Sequence, residues 1–190
     1  METLVRWIGE DDPTRLDSAA VTITDGRLSA HGAQSCAEWS LAWTLVCDDD
    51  WITRRMRVTA MGPGWSRALD LIHDDGWHAT VSANGGLWRP APNFDADALA
   101  EALDCDLGLC PLTNTMPIRR LDLMGGDRPE TLLTMAWIEV PSLRVIATPQ
   151  RYSSVGGAVR YESERRNFHA FLTVDEDGIV IDYPHLARRI

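Results

Sequence analysis

The apolar residues of this chain recur mostly at every second position, in runs broken by glycine and aspartate. Residues 39–45 show the pattern best: Trp39, Leu41, Trp43 and Leu45 share one face of an extended strand. Phe168, Ala170, Leu172 and Val174 repeat it late in the chain. Residues 21–24 lead into Asp25-Gly26, a two-residue hairpin signal, and Asp48-Asp49-Asp50 separates the tryptophan strand from the run at residues 51–59. Further turns are predicted at Asp74-Asp75-Gly76, Asn84-Gly85-Gly86, Gly125-Gly126-Asp127, Gly156-Gly157 and Asp177-Gly178. Strands punctuated this often predict a mainly β, mainly antiparallel protein.

Two segments break the alternation. Residues 95–103 are rich in helix formers, with acids in the first turn, and predict a short helix. Residues 115–124 predict a helix of two to three turns packed on a sheet. Thr115 can cap it, Pro117 falls in the first turn where a missing N–H costs nothing, and Gly125 can end it. Met116, Leu121 and Met124 fall mainly on one side of it.

The two ends of the chain also match weakly at a near-constant offset. Trp7-Ile8 recurs as Trp137-Ile138, and residues 45–52 align with 173–180. Either the chain is an internal duplication of two half-sheets, each ending in an acid-turn hairpin, or two β segments coincide. In this alignment Arg54 and Asp182 hold matching positions. Arg54 falls on the face of Ile52, Met56 and Val58, and Asp182 interrupts an apolar run. A buried charge is costly unless paired, so each calls for a structural partner or a ligand.

The length, 190 residues, fits one domain spanning 1–190 and burying roughly 70% of its unfolded surface. All 18 basic residues are arginine; with 28 acids the formal charge is -10. That charge argues against nucleic acid and against loose adsorption to anionic membranes, while leaving room for a local arginine-lined pocket. The absence of lysine excludes Schiff-base and phosphate-loop-lysine chemistry. The first residues carry no basic stretch followed by an apolar run, and nowhere do ~18 apolar residues run together. Neither a signal peptide nor a membrane span is expected, and a cytoplasmic location is.

Few motifs of chemistry remain. Cys36, Cys47, Cys105 and Cys110 form no C-x-x-C and read as buried thiols, and Cys110 lacks an evident thiolate-stabilising setting. His73 and His78 bracket a turn and could face each other, but two imidazoles make a poor metal site. The run from Asp175 has its glycine at the wrong place for a calcium loop and Leu186 where the twelfth-position acid belongs, so a hairpin explains it better. No serine elbow or glycine-rich phosphate loop is present. Neither metal nor cofactor is expected.

The central stretch carries a resemblance. Residues 104–121, with Asp106-Leu107 followed by Thr113-Asn114-Thr115-Met116-Pro117-Ile118-Arg119-Arg120-Leu121, closely resemble a family of bacterial proteins, formerly a domain of unknown function, to which glycolipid binding is ascribed. Met116 stands where that family usually has leucine. Arg6-Trp7, Gln150-Arg151-Tyr152, Arg160-Tyr161-Glu162-Ser163, the 172–178 run and Asp182-Tyr183-Pro184 match in order, so the resemblance spans essentially the whole chain. It implies a large, curved, mostly antiparallel sheet, a spiral roll wrapped around one short central helix, a dimer, and a pocket of acidic character.

Asp106, Asn114, Arg119, Arg151, Tyr152, Tyr161, Glu162, Asp182 and Tyr183 lie in the matched motifs. They are of the types that hold sugars, through hydrogen bonds to hydroxyls and aromatic stacking. The same residues could instead cap the helix and clamp the sheet. The leading expectation is a protein that binds a glycolipid or other sugar-bearing amphiphile without catalysis. One alternative is a carbohydrate hydrolase using Asp106 with Glu162 or Asp182, which would need to face each other across an open cleft about 5–10 Å wide. The other is a dimeric scaffold with no ligand.

Overall fold

The computed structural model describes residues 2–86 and 94–190. Alternation translates directly into strands: β1 (Glu2–Gly9), β2 (Leu16–Thr24), β3 (Arg27–Ser35), β4 (Ser40–Cys47), β5 (Thr53–Gly62), β6 (Trp65–Asp74) and β7 (Gly76–Gly85) form a meander. A second set follows: β8 (Asp104–Leu107), β9 (Arg128–Ile138), β10 (Val145–Val155), β11 (Ala158–Ser163), β12 (Phe168–Val174), β13 (Val180–Tyr183) and β14 (Ala187–Arg189). All belong to one curved, open sheet of 14 strands, in the order 7-6-5-4-3-2-1-14-13-12-11-10-9-8. Its two meanders join where β1 pairs with β14, and every pairing is antiparallel except that of β8 with β9.

Inside the curve lies the one α-helix of the described residues, α1 (Thr115–Arg120), entered through a 3-10 turn at Pro111–Asn114. Residues 110–118 are buried without a break. Met116 and Ile118 pack against a core that includes Leu45, Cys47, Met56, Leu71, Leu107 and Leu112. The helix stops earlier than expected. Asp122 takes the left-handed conformation (φ 51°), Leu123 N–H bonds Ile118 O at 3.0 Å and Asp122 N–H bonds Arg119 O at 3.2 Å. This is the two-bond stop usually built around glycine, and buried Leu123 and Ile118 supply its apolar contact. Gly125 therefore plays no part in the stop. Nor does Thr115 cap: its hydroxyl is buried without a partner, and Pro111 opens the helical stretch. The helix expected at 95–103 shrinks to a 3-10 turn, Asp97–Leu99, with Asp95 accepting from Ala98 N–H. Four residues on, Leu103 O is already bonded to Thr53 N–H, which draws the chain into extended structure.

The strands β1–β5 and β9–β13 run in the same order and share two turns. Asp25-Gly26 and Gly156-Gly157 each close a two-residue hairpin, flanked by the pairs Thr24/Arg27 and Val155/Ala158. The acid turns match as well: Asp48 N–H bonds Ile52 O and Asp175 N–H bonds Ile179 O, both at 3.0 Å. Trp51 and Gly178 hold the same left-handed position, φ 65° and 79°. Each turn is followed by a bulge. Val46 faces Arg55 but Cys47 faces Thr53, and Thr173 faces Asp182 but Val174 faces Val180.

This registry changes three correspondences. Arg54 matches Ile181, as the extra residue of its bulge, and Asp182 matches Arg55. Counted back from the hairpins, Trp7 faces Asp17 as Met135 faces Thr148, so the partner of Trp7 is Met135 and not Trp137. Because a bulge resets the alternation, Arg54 leaves the apolar face: it is exposed and bonded to Asp48. His73 and His78 also part company. His73 stacks on Trp77 at 4.4 Å and sits 3.1 Å from Thr53 O, while His78 is exposed on the other side of β7.

Candidate functional site

Where the helical turn meets the sheet, the interior is polar. Gln150 Nε2 donates to Asp106 Oδ2 at 2.7 Å, and Thr113 Oγ1 lies 2.9 Å from Asp106 Oδ1. Tyr152 OH sits 3.0 Å from Asn114 Oδ1 and 3.1 Å from Gln150 Oε1, and Asn114 Nδ2 donates to Pro111 O at 3.1 Å. Tyr161 meets Tyr152 and Tyr183 edge-on, at 5.2 and 5.8 Å. Burial pushes the Tyr152 phenol well above its ordinary value. Beneath the turn, Arg120 makes a two-pronged contact with buried Asp104. Burial raises the Asp104 carboxyl, and the guanidinium opposes that.

Five of the nine residues singled out from the sequence thus meet: Asp106, Asn114, Tyr152, Tyr161 and Tyr183. They meet tightly. The space lined by Asp106, Gly108, Cys110, Asn114, Tyr183 and Leu186 holds about 10 Å³, room for about one water. The other four lie elsewhere. Arg151 is on the outer face, paired with Glu130 and Glu164, and Glu162 is there too, paired with Arg160. Asp182 points outward from β13, half-buried. Arg119 leaves the end of α1 to lie 4.7 Å over the Trp51 ring and 3.4 Å from Glu176 O. Asp106 therefore does not share a cleft with Glu162 or Asp182, because the sheet lies between them.

A second buried polar group adjoins the first. Asp17 on β2 accepts from Gln34 Nε2 at 3.0 Å, and the same amide lies 3.4 Å from Gly108 O. Gln34 Oε1 has no hydrogen-bond donor among the described residues. Burial pushes the Asp17 carboxyl up to about 7, against the Gln34 amide, the Cys110 thiol and Arg15. Burial also pushes Cys110 and Cys47 well above the ordinary thiol value and Cys105 to about 12. These three stay protonated and make poor nucleophiles. Among the described residues no group of three or more His, Cys, Asp or Glu side chains is arranged to hold a metal ion.

Beside this group the sheet opens to solvent. The β1–β2 and β3–β4 connections emerge at the same end of neighbouring hairpins. With Leu109 they enclose a cleft of about 370 Å³, lined by Asp11, Asp12, Thr14, Arg15, Cys36, Ala37, Glu38 and Trp39. Asp12 O accepts from Arg15 N–H, and its side chain accepts from Thr14 N–H at 3.0 Å and Thr14 Oγ1 at 2.6 Å. The Thr14 bonds hold the Asp12 carboxyl below its ordinary value. On the facing turn Cys36 N–H bonds Trp39 O at 2.9 Å. Leu109, held at φ 63°, lines both this cleft and the small interior space.

Sequence reasoning missed the cleft. The signals available were the Asp11-Asp12-Pro13-Thr14 turn and the indole that begins the tryptophan strand. Two further depressions are less suited to a small polar ligand. A shallow saddle of about 600 Å³ on the outer face presents Leu4, Ala20, Thr22, His31, Thr44 and Val46. In another, of about 350 Å³, Arg160 and Glu162 neutralise each other.

An open, curved, mainly antiparallel sheet closed over a short buried helix, with a polar cleft at one end, defines a class of small, mainly β proteins. Within that class, the family model described as "Putative glycolipid-binding" matches residues 4–189, and the chain belongs to that family. It is also similar to the crystal structure of a DUF1089 family protein from Pseudomonas aeruginosa, solved at 1.80 Å resolution. The two share 28% identity over 92% of each chain, with a TM-score of 0.71. No curated protein matches the chain.

Proposed function

We propose that this protein binds a glycolipid or related sugar-bearing amphiphile without transforming it, and that the sugar lodges in the cleft between residues 11–15, residues 36–39 and Leu109. One observation carries the reading. An indole, three carboxylates and a hydroxyl converge on about 370 Å³ at one end of the sheet. That volume lies in the range of small-molecule sites, and the groups are those that stack on a sugar ring and accept from its hydroxyls. The family's description agrees with it. The hydrolase alternative loses its geometry, because both Asp106 oxygens are engaged by Thr113 and Gln150 and its presumed partners face the other way.

Cys36 supplies a reporter, being half-buried in the cleft wall while the other three thiols are buried. Octyl β-D-glucopyranoside is expected to slow alkylation of Cys36 and to shift tryptophan fluorescence, and Trp39→Ala is expected to abolish the protection. Mass spectrometry of the natively purified protein should recover a sugar-bearing amphiphile. Unprotected Cys36, together with nothing amphiphilic recovered from several hosts, would overturn the proposal.

A further inference from the structure

Resting on the reading of the cleft as the sugar site, we infer that it selects its ligand by charge. It takes a neutral or amino-bearing headgroup and rejects one that carries a phosphate, sulfate or carboxylate. The lining holds three carboxylates, Asp11, Asp12 and Glu38, against one cation, Arg15. That cation is already committed. Its side chain is 5% exposed, and Nη2 lies 2.5 Å from Leu186 O and 2.8 Å from Asp11. An incoming anion would find no free guanidinium among the described lining residues, and the chain has no lysine that could swing in from elsewhere.

The carboxylates, by contrast, face the opening. Glu38 is exposed, the Asp11 side chain is 53% exposed, and Asp12 is kept ionised by Thr14. A unit charge at contact distance from one exposed carboxylate changes affinity about fivefold in water-like surroundings, the equivalent of about 1 kcal/mol. The net charge of -10 adds a repulsive background that salt screens. Trp39 contributes in the same direction, since the face of an indole attracts an ammonium and disfavours an anion.

Three probes that differ at one substituent test the inference: octyl β-D-glucopyranoside, its 2-amino-2-deoxy analogue and its glucuronate analogue. Binding is read by Cys36 protection and by calorimetry, at low and at high salt. The amino sugar should bind at least as tightly as the neutral one, and the glucuronate about fivefold more weakly at low salt. The gap should narrow at high salt and narrow again in Glu38→Gln. A glucuronate that binds as tightly as the neutral glycoside would overturn charge selection and leave the sugar site standing. Failure of all three to bind would overturn the site and the selection together.

Discussion

The units β1–β5 and β9–β13 have the same strand order, the same tight hairpin and the same bulge after the acid turn, yet their inner faces differ in kind. On β2 and β3 the inward positions beside the hairpin are Ala19, Val21, Ile23, Leu28 and Ala30. Their counterparts on β10 and β11 are Gln150, Tyr152, Ser154, Val159 and Tyr161, all buried as well. One unit holds its side of the roll by apolar burial. The other holds the helical turn through hydrogen bonds among Gln150, Tyr152, Asp106 and Asn114. A strand meander thus fixes where side chains point and leaves open whether the interior is held by apolar contact or by directed bonds.

Four measurements can break or sharpen that contrast. The largest effect belongs to the polar half. Asp104→Ala leaves the Arg120 guanidinium, 15% exposed, without its partner, and should lower stability by about 3–5 kcal/mol in urea unfolding. A loss under 1 kcal/mol would show that the helical turn does not depend on that pair.

The second concerns Asp17, the one carboxylate on the inner face of the apolar unit, where the polar unit has Thr148. Its carboxyl is raised from about 4 in the unfolded chain to about 7 in the fold. Between those values the folded state holds the extra proton. Stability should therefore fall as pH rises through that window and level off above it, with a total on the order of 4 kcal/mol. Asp17→Thr, which borrows the side chain of the counterpart, should remove this part of the pH dependence. An unchanged profile in the variant would place the titration elsewhere.

Third, Tyr152→Phe deletes the phenol proton shared by Asn114 and Gln150 and should cost about 1–3 kcal/mol. If a double-mutant cycle with Asn114→Ala shows no coupling, the network is only packing. The smallest effect is expected of Arg54→Met. The residue is the exposed extra member of a bulge and its pair with Asp48 is open to water, so the change should stay within about 0.5 kcal/mol. A large loss there would contradict the outward placement.

Strands and most turns were legible because each is encoded locally: alternation for β4 and β12, Asp25-Gly26 and Gly156-Gly157 for the hairpins. Arg54 was misplaced because a bulge inserts one residue, and counting every second position cannot detect it. The end of α1 was misplaced because Asp122 adopts the conformation that glycine usually marks. The Asp106–Asn114 half of the buried network was visible because it is contiguous in the chain. Its other half depends on β10 coming within reach of β8, across β9, and of the helical turn. The cleft was invisible for the same reason: Asp12 and Trp39 become neighbours only when two hairpins lie side by side.

The joint between β1 and β14 bears on how the molecule is made. It sits mid-sheet and consists of three residue pairs, Trp7 with Arg189, Ile8 with Arg188 and Gly9 with Ala187. It is reinforced by Trp7 Nε1–H donating to Val180 O across 173 positions of sequence. On the ribosome the other edge of β1 must wait for β14, while the β1–β7 meander needs only adjacent partners. During synthesis the N-terminal meander thus carries a long unpaired strand edge until β14 emerges to cover part of it.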